Sequence, residues 1–410
     1  MLLRDGHVGS FEPARRGTVR RRNRRLPRGR LARIPEPRRS PRFPAACQSV
    51  VLHGVSVRRL SDRDRKPQVR SGGDVSSYAD AGVDVTAGDR FATTIAECVR
   101  ATWGANVVGR FGSFAAGVTI PPGYEEPVIM MTTDGVGTKA ELARMLGTFD
   151  GIGADLVAMC VDDLAALGAA PIGFTDYLAV GALDPARDET IVASIAAACS
   201  EAGCALLGGE TAIHPGVLEP AQFDVAGAAI GVVERSAIPD PASVAVGDLV
   251  IGVASPNVRS NGFSLVRSIF DAEDLASPVP GTNRTVGDVL LEPSVLYAPA
   301  VLAVAGQVDV HGFVHVTGGG IPGNVPRALP EGLGATIDTT AWVAPAIFDL
   351  IARRGGVEPT EMLRTFNMGV GFVLIVDPAG SEDVIDVLAD HDRSACVIGE
   401  IVPGSEIALV

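Results

Sequence analysis

Thr132-Thr133-Asp134-Gly135-Val136-Gly137-Thr138-Lys139 is the stretch from which the fold of this chain is read. The apolar run Pro127–Thr133 leads into it, which predicts a short strand feeding a functional turn at Asp134. That turn sets one carboxylate, two glycines, a threonine and one ammonium side by side. Glycine lets backbone N–H groups approach an anion closely. Asp134 suits Mg²⁺ and Lys139 suits a phosphate oxygen. The 410-residue chain has only one other lysine, Lys66. All its other fixed positive charges are arginines, and a compact ammonium reaches between phosphate oxygens where a planar guanidinium does not. The pattern G-x-x-x-x-G-K-[ST] is absent, so this is not a Walker A loop. A tight turn with a surface ion pair is the alternative reading of the same residues.

Working outward, strands and helices alternate. Phe91, Ile95, Cys98, Val99 and Trp103 recur at helical spacing and predict a helix over 89–103. Helices are expected over 151–167 and 185–202, and strands over 171–180, 204–207 and 223–233. Pro239 and Pro241 punctuate a polar stretch that sets the domain boundary. A second set follows: strands at 249–254, 310–316, 370–376 and 396–401, and helices after Asn261 and Val295, over 344–353 and over 382–389. Both halves mix strand and helix, which predicts a two-domain protein of the α+β or α/β class. The expected divisions are 1–75, 76–238 and 239–410.

Charge separates the first of these from the rest. Residues 1–75 carry 20 Lys and Arg against 6 acids, and the body carries 15 against 42. The basic segment lacks hydrophobic periodicity and predicts a disordered extension. Translation from a start upstream of the true one, an organelle transit peptide and a nucleic-acid arm are the competing explanations. The acidic body argues against nucleic-acid binding, which needs a basic footprint. No uncharged apolar run reaches transmembrane length. Six scattered cysteines without a C-x-x-C pair argue against zinc and a disulfide framework, and predict a reducing compartment, the cytoplasm.

Other segments carry candidate chemistry. The loop Gly109–Gly117, with Gly109, Gly112 and Gly117, is glycine-rich and is either a phosphate cradle or a packing turn. Asp155 and Asp162 lie seven residues apart, two turns along one helical face. Asp162 and Asp163 follow an apolar run, so a buried metal site competes with a solvated acidic pair. Gly208-Gly209-Glu210-Thr211 repeats the logic of the first loop: small residues, then one carboxylate at a strand end. Several such acids suit a shared Mg²⁺ site completed by water and phosphate. His315-Val316-Thr317-Gly318-Gly319-Gly320 ends a strand and opens a possible helix, an anion site.

Taken in order, the run Ser77–Asp84, Thr132–Lys139, the stretch ending Cys160-Val161-Asp162-Asp163-Leu164, Gly208–Ala212, Arg259–Arg267, Val314–Gly320 and Arg364–Gly371 resemble phosphoribosylformylglycinamidine cyclo-ligase, also called aminoimidazole ribonucleotide synthetase. The resemblance covers roughly 76–410. It implies an ATP-dependent ring closure of formylglycinamidine ribonucleotide, in an N-terminal mixed-sheet domain that forms a homodimer and a C-terminal α/β domain, with the active site in the groove between them. It implies Mg²⁺ on Asp134, Asp163 and Glu210, and catalytic roles for Lys139 and His315. Nucleotide contacts fall on Gly109, Gly112, Gly117, Asp134, Gly135, Gly137, Thr138, Lys139, Gly208 and Gly209. No membrane partner is implied. The chain departs from the pattern at Arg259, often His in the family, at Ile213, often Glu, and at Asp162, often Asn. Selenophosphate synthetase, thiamine-phosphate kinase and the amidotransferase of the preceding purine step share the fold and are the nearest alternatives; a non-catalytic nucleotide-binding scaffold is the alternative of another class.

Overall fold

The computed structural model describes Tyr78 and residues 81–410. The basic segment 1–75, with Lys66, and part of the run Ser77–Asp84 lie outside the described residues.

The N-terminal half begins with α1 (Val85–Ala101), whose first turn is capped by the Asp84 carboxylate accepting from the Ala87 N–H. A small antiparallel hairpin follows, β1 (Val107–Val108) and β2 (Gly117–Val118). Then come β3 (Pro127–Gly135), α2 (Lys139–Leu146), α3 (Ile152–Ala165), β4 (Ala170–Val180), α4 (Pro185–Glu201), β5 (Ala205–Ile213) and β6 (Phe223–Glu234). The main sheet has the order β3-β6-β4-β5; β4 and β5 are parallel and the other pairs antiparallel. In α3 every residue except Ala154 and Asp163 is buried. A helix that is apolar all round must be covered all round. The sheet covers one side of α3; α4 and the C-terminal half cover the rest. The opposite face of the sheet is open. Strand alternation turns Ile129 and Met131 outward there, and Met131 is 73% exposed.

Short turns at Arg235–Ala237 and Pro241–Ser243 flank Pro239 and link the two sheets. The C-terminal half runs β7 (Leu249–Ala254), α5 (Phe263–Ile269), α6 (Ala272–Leu275), α7 (Val286–Leu290), α8 (Ala298–Ala305), β8 (Val310–His315), α9 (Gly320–Asn324), β9 (Leu333–Ile337), α10 (Ala346–Gly355), α11 (Pro359–Thr365), β10 (Val370–Val376), α12 (Ser381–Asp390), β11 (Ala395–Pro403) and β12 (Ile407–Leu409). Its sheet has the order β12-β9-β11-β7-β10-β8, antiparallel except for the β12–β9 pair. All of β10 is buried, so it lacks polar alternation and reads as a continuous apolar run. Phe372, Leu374 and Val376 share one apolar cluster with Leu156, Val161 and the rest of the first core. The two halves are therefore packed through a common interior.

Two boundaries differ from the sequence expectation in ways that matter for the site. β5 does not end at Leu207 but continues through Gly208-Gly209-Glu210 to Ile213. Glycine weakens a strand locally, but pairing with β4 at Thr175, Asp176 and Tyr177 carries it on. Lys139 is not in a loop: it is the first residue of α2.

Candidate active site

Asp155 and Asp162 project from α3 towards the C-terminal half, and each is fully buried. An isolated buried carboxylate is costly and needs a cation and hydrogen bonds. The fold supplies a basic side chain to each. Lys139 Nζ lies 2.8 Å from Asp155 Oδ1 and 2.7 Å from Oδ2. It also donates to the carbonyls of Arg259 at 3.1 Å and Glu292 at 2.9 Å, and sits 5.4 Å from the centre of the Phe263 ring. Asp155 Oδ1 accepts further from the Ser294 N–H and hydroxyl. Burial lowers the proton affinity of Lys139 and raises that of Asp155, while their mutual attraction opposes both changes. The sequence assigned this ammonium to a transferring phosphate. In the folded chain its three hydrogens are directed to Asp155 and two carbonyls, and none of its surface is exposed. Lys139 holds the halves together at this point.

Arg259 does the same for Asp162. Its Nη2 donates to Asp162 Oδ2 at 2.6 Å. Asp162 Oδ1 accepts from the backbone N–H groups of Tyr297 and Ala298, at the start of α8, both at 2.8 Å. The Arg259 guanidinium stacks 4.8 Å over the Tyr297 ring. Its Nη1 lies 2.9 Å from His315 Nε2, and His315 Nδ1 lies 2.8 Å from Asp163 Oδ1. The His315 ring stacks on Phe372, with 6.1 Å between centroids. Two of the departures named above, Asp162 and Arg259, are thus direct partners.

Asp163 is the one acid of this group facing solvent, with its side chain 40% exposed. It lines a groove of about 290 Å³ between the two halves, together with Thr132, His315, Asn324 and Arg327. Asp134 ends the same strand as Thr132. Burial pushes its carboxyl above the ordinary value and the Asp163 charge adds to this, against the opposing effects of the Gly135 N–H and of His315. Asp134 therefore lies within reach of the Asp163 and His315 charges, just outside the groove that those two line. A carboxylate whose ionisation is opposed by a second one is relieved by a divalent cation with oxygen ligands, so this pair fits Mg²⁺.

Glu210 is not brought to them. Asp134, Gly227, Asp176 and Gly209 form one cross-strand row, and Gly135, Ala226, Tyr177 and Glu210 form the next. Successive rows point to opposite faces of a sheet. The Asp134 row faces α3, as a Cβ on Gly227 would meet Leu156 of that helix. Glu210 consequently stands on the open face beside Tyr177. The expected three-acid site assumed that Glu210 sat in a loop; mid-strand, its direction is set by alternation. Among the described residues no group of three or more His, Cys, Asp or Glu is arranged around a common point.

Among the glycines expected to contact nucleotide, Gly109, Gly112 and Gly137 have positive φ, which glycine adopts without strain. Gly109 to Gly117 form the exposed tip of the β1–β2 hairpin. Gly135, Gly137 and Thr138 form the β3–α2 turn, where the Thr138 and Ser264 hydroxyls meet at 3.1 Å across the two halves. Gly208 and Gly209 lie within β5, and a Cβ on Gly209 would come 2.2 Å from Asp176 Oδ1. Ser294, Tyr297 and Arg327 carried no role in the sequence reading, and Arg259 stood there only as a departure from the family pattern and a local offset to the acidic body. Only the Asp155–Asp162 spacing hinted at buried partners.

Residues 115–233 match the family AIR synthase related protein, N-terminal domain, and residues 245–410 match AIR synthase related protein, C-terminal domain. A phosphoribosylformylglycinamidine cyclo-ligase from Sorangium cellulosum (strain So ce56) is 45% identical over 337 residues, 81% of this chain and 97% of that protein. Another, from Anaeromyxobacter sp. (strain Fw109-5), is 46% identical over 332 residues, 80% of this chain and 96% of that protein. Two solved structures share the fold. E. coli HypE, a hydrogenase maturation protein, has a TM-score of 0.57 at 17% identity, covering 78% of this chain and 93% of its own. Thiamine-monophosphate kinase from Stenotrophomonas maltophilia K279a has a TM-score of 0.56 at 16% identity, covering 77% and 95%.

Proposed function

The chain belongs to the phosphoribosylformylglycinamidine cyclo-ligase family, and from that premise we infer that it is a ligase that converts formylglycinamidine ribonucleotide to 5-aminoimidazole ribonucleotide, with ATP as the second substrate. The observation that carries this reading is 45% identity extending over 97% of a relative of that name. The groove beside Asp134 and Asp163 supports it. In the reaction the formyl amide oxygen takes the γ-phosphoryl group, ADP leaves, the amidine-side nitrogen attacks the activated carbon, and phosphate departs as the imidazole closes.

Asp134 and Asp163 would hold Mg²⁺, which when bound supplies positive charge opposite the triphosphate. The remaining work falls to the chain itself. Asp163 is held in orientation by His315. In the β3–α2 turn the N–H groups of Gly135 and Val136 are taken by Asp134 Oδ1 and the Val225 carbonyl, so those of Gly137 and Thr138, at the start of α2, are the ones offered to a phosphate. The groove walls hold the substrate bent for an attack within one molecule, where orientation counts for more than a strong base. Lys139 acts on this site from behind, by fixing α2 and α3 against the carbonyl of Arg259. The open sheet face, with Ile129, Met131 and Tyr177 exposed, suits pairing with a second copy into a homodimer. None of the described helices is long and apolar enough to cross a membrane; a cytoplasmic location belongs to the same proposal, supported by small polar substrates such as ATP.

The test is substrate-dependent ADP release by the full chain with formylglycinamidine ribonucleotide, ATP and Mg²⁺, together with detection of the aminoimidazole product. ADP release that ignores the ribonucleotide, or none from folded protein, would refute the assignment.

A further inference from the structure

We propose that Arg259 is a positioning residue that fixes His315 as the Nδ1–H tautomer, and through it aims Asp163 into the groove. The inference concerns the site assigned above and rests on that reading only for its effect on turnover.

The tautomer follows from the partners on the two ring nitrogens. Guanidinium nitrogens carry hydrogens and no lone pair, so Arg259 Nη1 can only donate. At 2.9 Å, His315 Nε2 must therefore present its lone pair. A hydrogen on Nε2 would point at a hydrogen on Nη1. The proton of the neutral ring then sits on Nδ1, where Asp163 Oδ1 accepts it at 2.8 Å. A ring nitrogen is set by the bond its counterpart makes. Both nitrogens of His315 are thus committed, and the ring has no lone pair facing the groove. His315 orients a carboxylate instead of taking a proton from the substrate.

Arg259 is itself held at both terminal nitrogens and on one face of the guanidinium. Asp162 anchors Nη2, Tyr297 lies under the guanidinium, and the Gly371 carbonyl is 3.4 Å from Nη1. Its backbone has φ of +63°, unusual for a residue with a side chain. That conformation is fastened by Asn257 Oδ1 on its N–H and Lys139 Nζ on its carbonyl. Both buried ion pairs of α3 therefore converge on one residue. Asp162 and Asp163 are neighbours on α3, while Arg259 and His315 come from the other half. The four side chains form a chain that starts and ends on the same helix, and its last member is the acid that meets solvent.

The experiment uses full-length protein with ¹⁵N-labelled histidine. Long-range ¹⁵N–¹H spectra report which ring nitrogen carries the proton, and the His315→Asn variant identifies the signal. The wild type should show Nδ1–H at His315. In Asp162→Asn/Arg259→Met, Asn keeps a carbonyl for the Tyr297 and Ala298 amides and neither member of the ion pair is left stranded. There the donor to Nε2 is gone and only Asp163 still favours Nδ1–H, so an Nε2–H population should appear beside it. Turnover should fall on the order of 10- to 100-fold, the usual effect of removing a residue that orients a ligand-bearing side chain. Nε2–H at His315 in the wild type overturns the proposal without recourse to the double variant. An unchanged ratio of Nδ1–H to Nε2–H in the double variant overturns it as well, whatever happens to turnover. If the wild type lacked cyclo-ligase activity, the spectra would still decide the tautomer, so the two readings fail separately.

Discussion

Lys139→Met removes an ammonium that makes four short polar contacts in a space closed to solvent. Methionine occupies similar volume and is flexible, so the change is chiefly one of charge. It leaves Asp155 fully buried with only Ser294 as a donor, and strips a partner from the carbonyls of Arg259 and Glu292. Removing one member of a buried ion pair costs about 3–5 kcal/mol, because the other charge is stranded. The loss should appear as a lower urea midpoint at unchanged slope. Adding Asp155→Asn removes the stranded charge and should restore a large part of the loss. A coupling of roughly 0.5–3 kcal/mol between the two sites is the expected signature of contact. ATP affinity of the folded fraction should change little beyond the effect of loosening α2. The outcome that refutes this reasoning is a variant within about 0.5 kcal/mol of wild type, the scatter of ordinary surface changes, that has lost ATP-dependent turnover. Lys139 would then be the phosphate ligand its sequence neighbours imply, released from Asp155 when nucleotide binds.

Three further outcomes are expected. Burial pushes the Asp176 carboxyl up to about 7. Its folded value lies above the unfolded one, so the folded state keeps a proton that the unfolded state has lost. Its contribution is fully present below the ordinary carboxylate range and declines as pH rises to about 7, by at most about 1.4 kcal/mol per pH unit; Asp176→Asn should flatten that slope, read as urea midpoints at pH 5 and 8. Gly262 has φ of +83° and a Cβ there would lie 2.2 Å from the Phe366 ring, so Gly262→Ala should cost about 1–3 kcal/mol in the same assay. Met131→Arg with Ile129→Arg should shift the sedimentation of the full chain from dimer to monomer while its circular dichroism stays unchanged; a persistent dimer would place the interface elsewhere.

Much of the fold was legible from one dimension. Strand 249–254 and strand 370–376 coincide with the observed β7 and β10, and the helices over 151–167 and 185–202 lie within two residues of α3 and α4. Each carries its signal locally, as an apolar run or as helical spacing bounded by Gly or Pro. The shorter elements escaped. α2 is eight residues long, and β9 and the two strands of the β1–β2 hairpin are shorter still, so none spans enough turns or alternations to show a period. β5 was cut short at Gly208 because two glycines resemble a loop until a neighbouring strand pairs with them.

The sequence by itself determined the chemistry present: which acids stand near glycines, that one lysine sits among them, and, through the order of the motifs, the family. The tertiary structure alone decided which of these groups meet. Asp162 and Arg259 are 97 residues apart and share a hydrogen bond, and Lys139 reaches Glu292 across 153. No local pattern encodes such pairs, because they exist only once two sheets have packed around α3. The same holds for direction. Asp134 and Glu210 look equivalent as carboxylates after small residues. Side chains on successive rows of a pleated sheet point opposite ways, and that geometry sends Asp134 towards α3 and Glu210 to the open face.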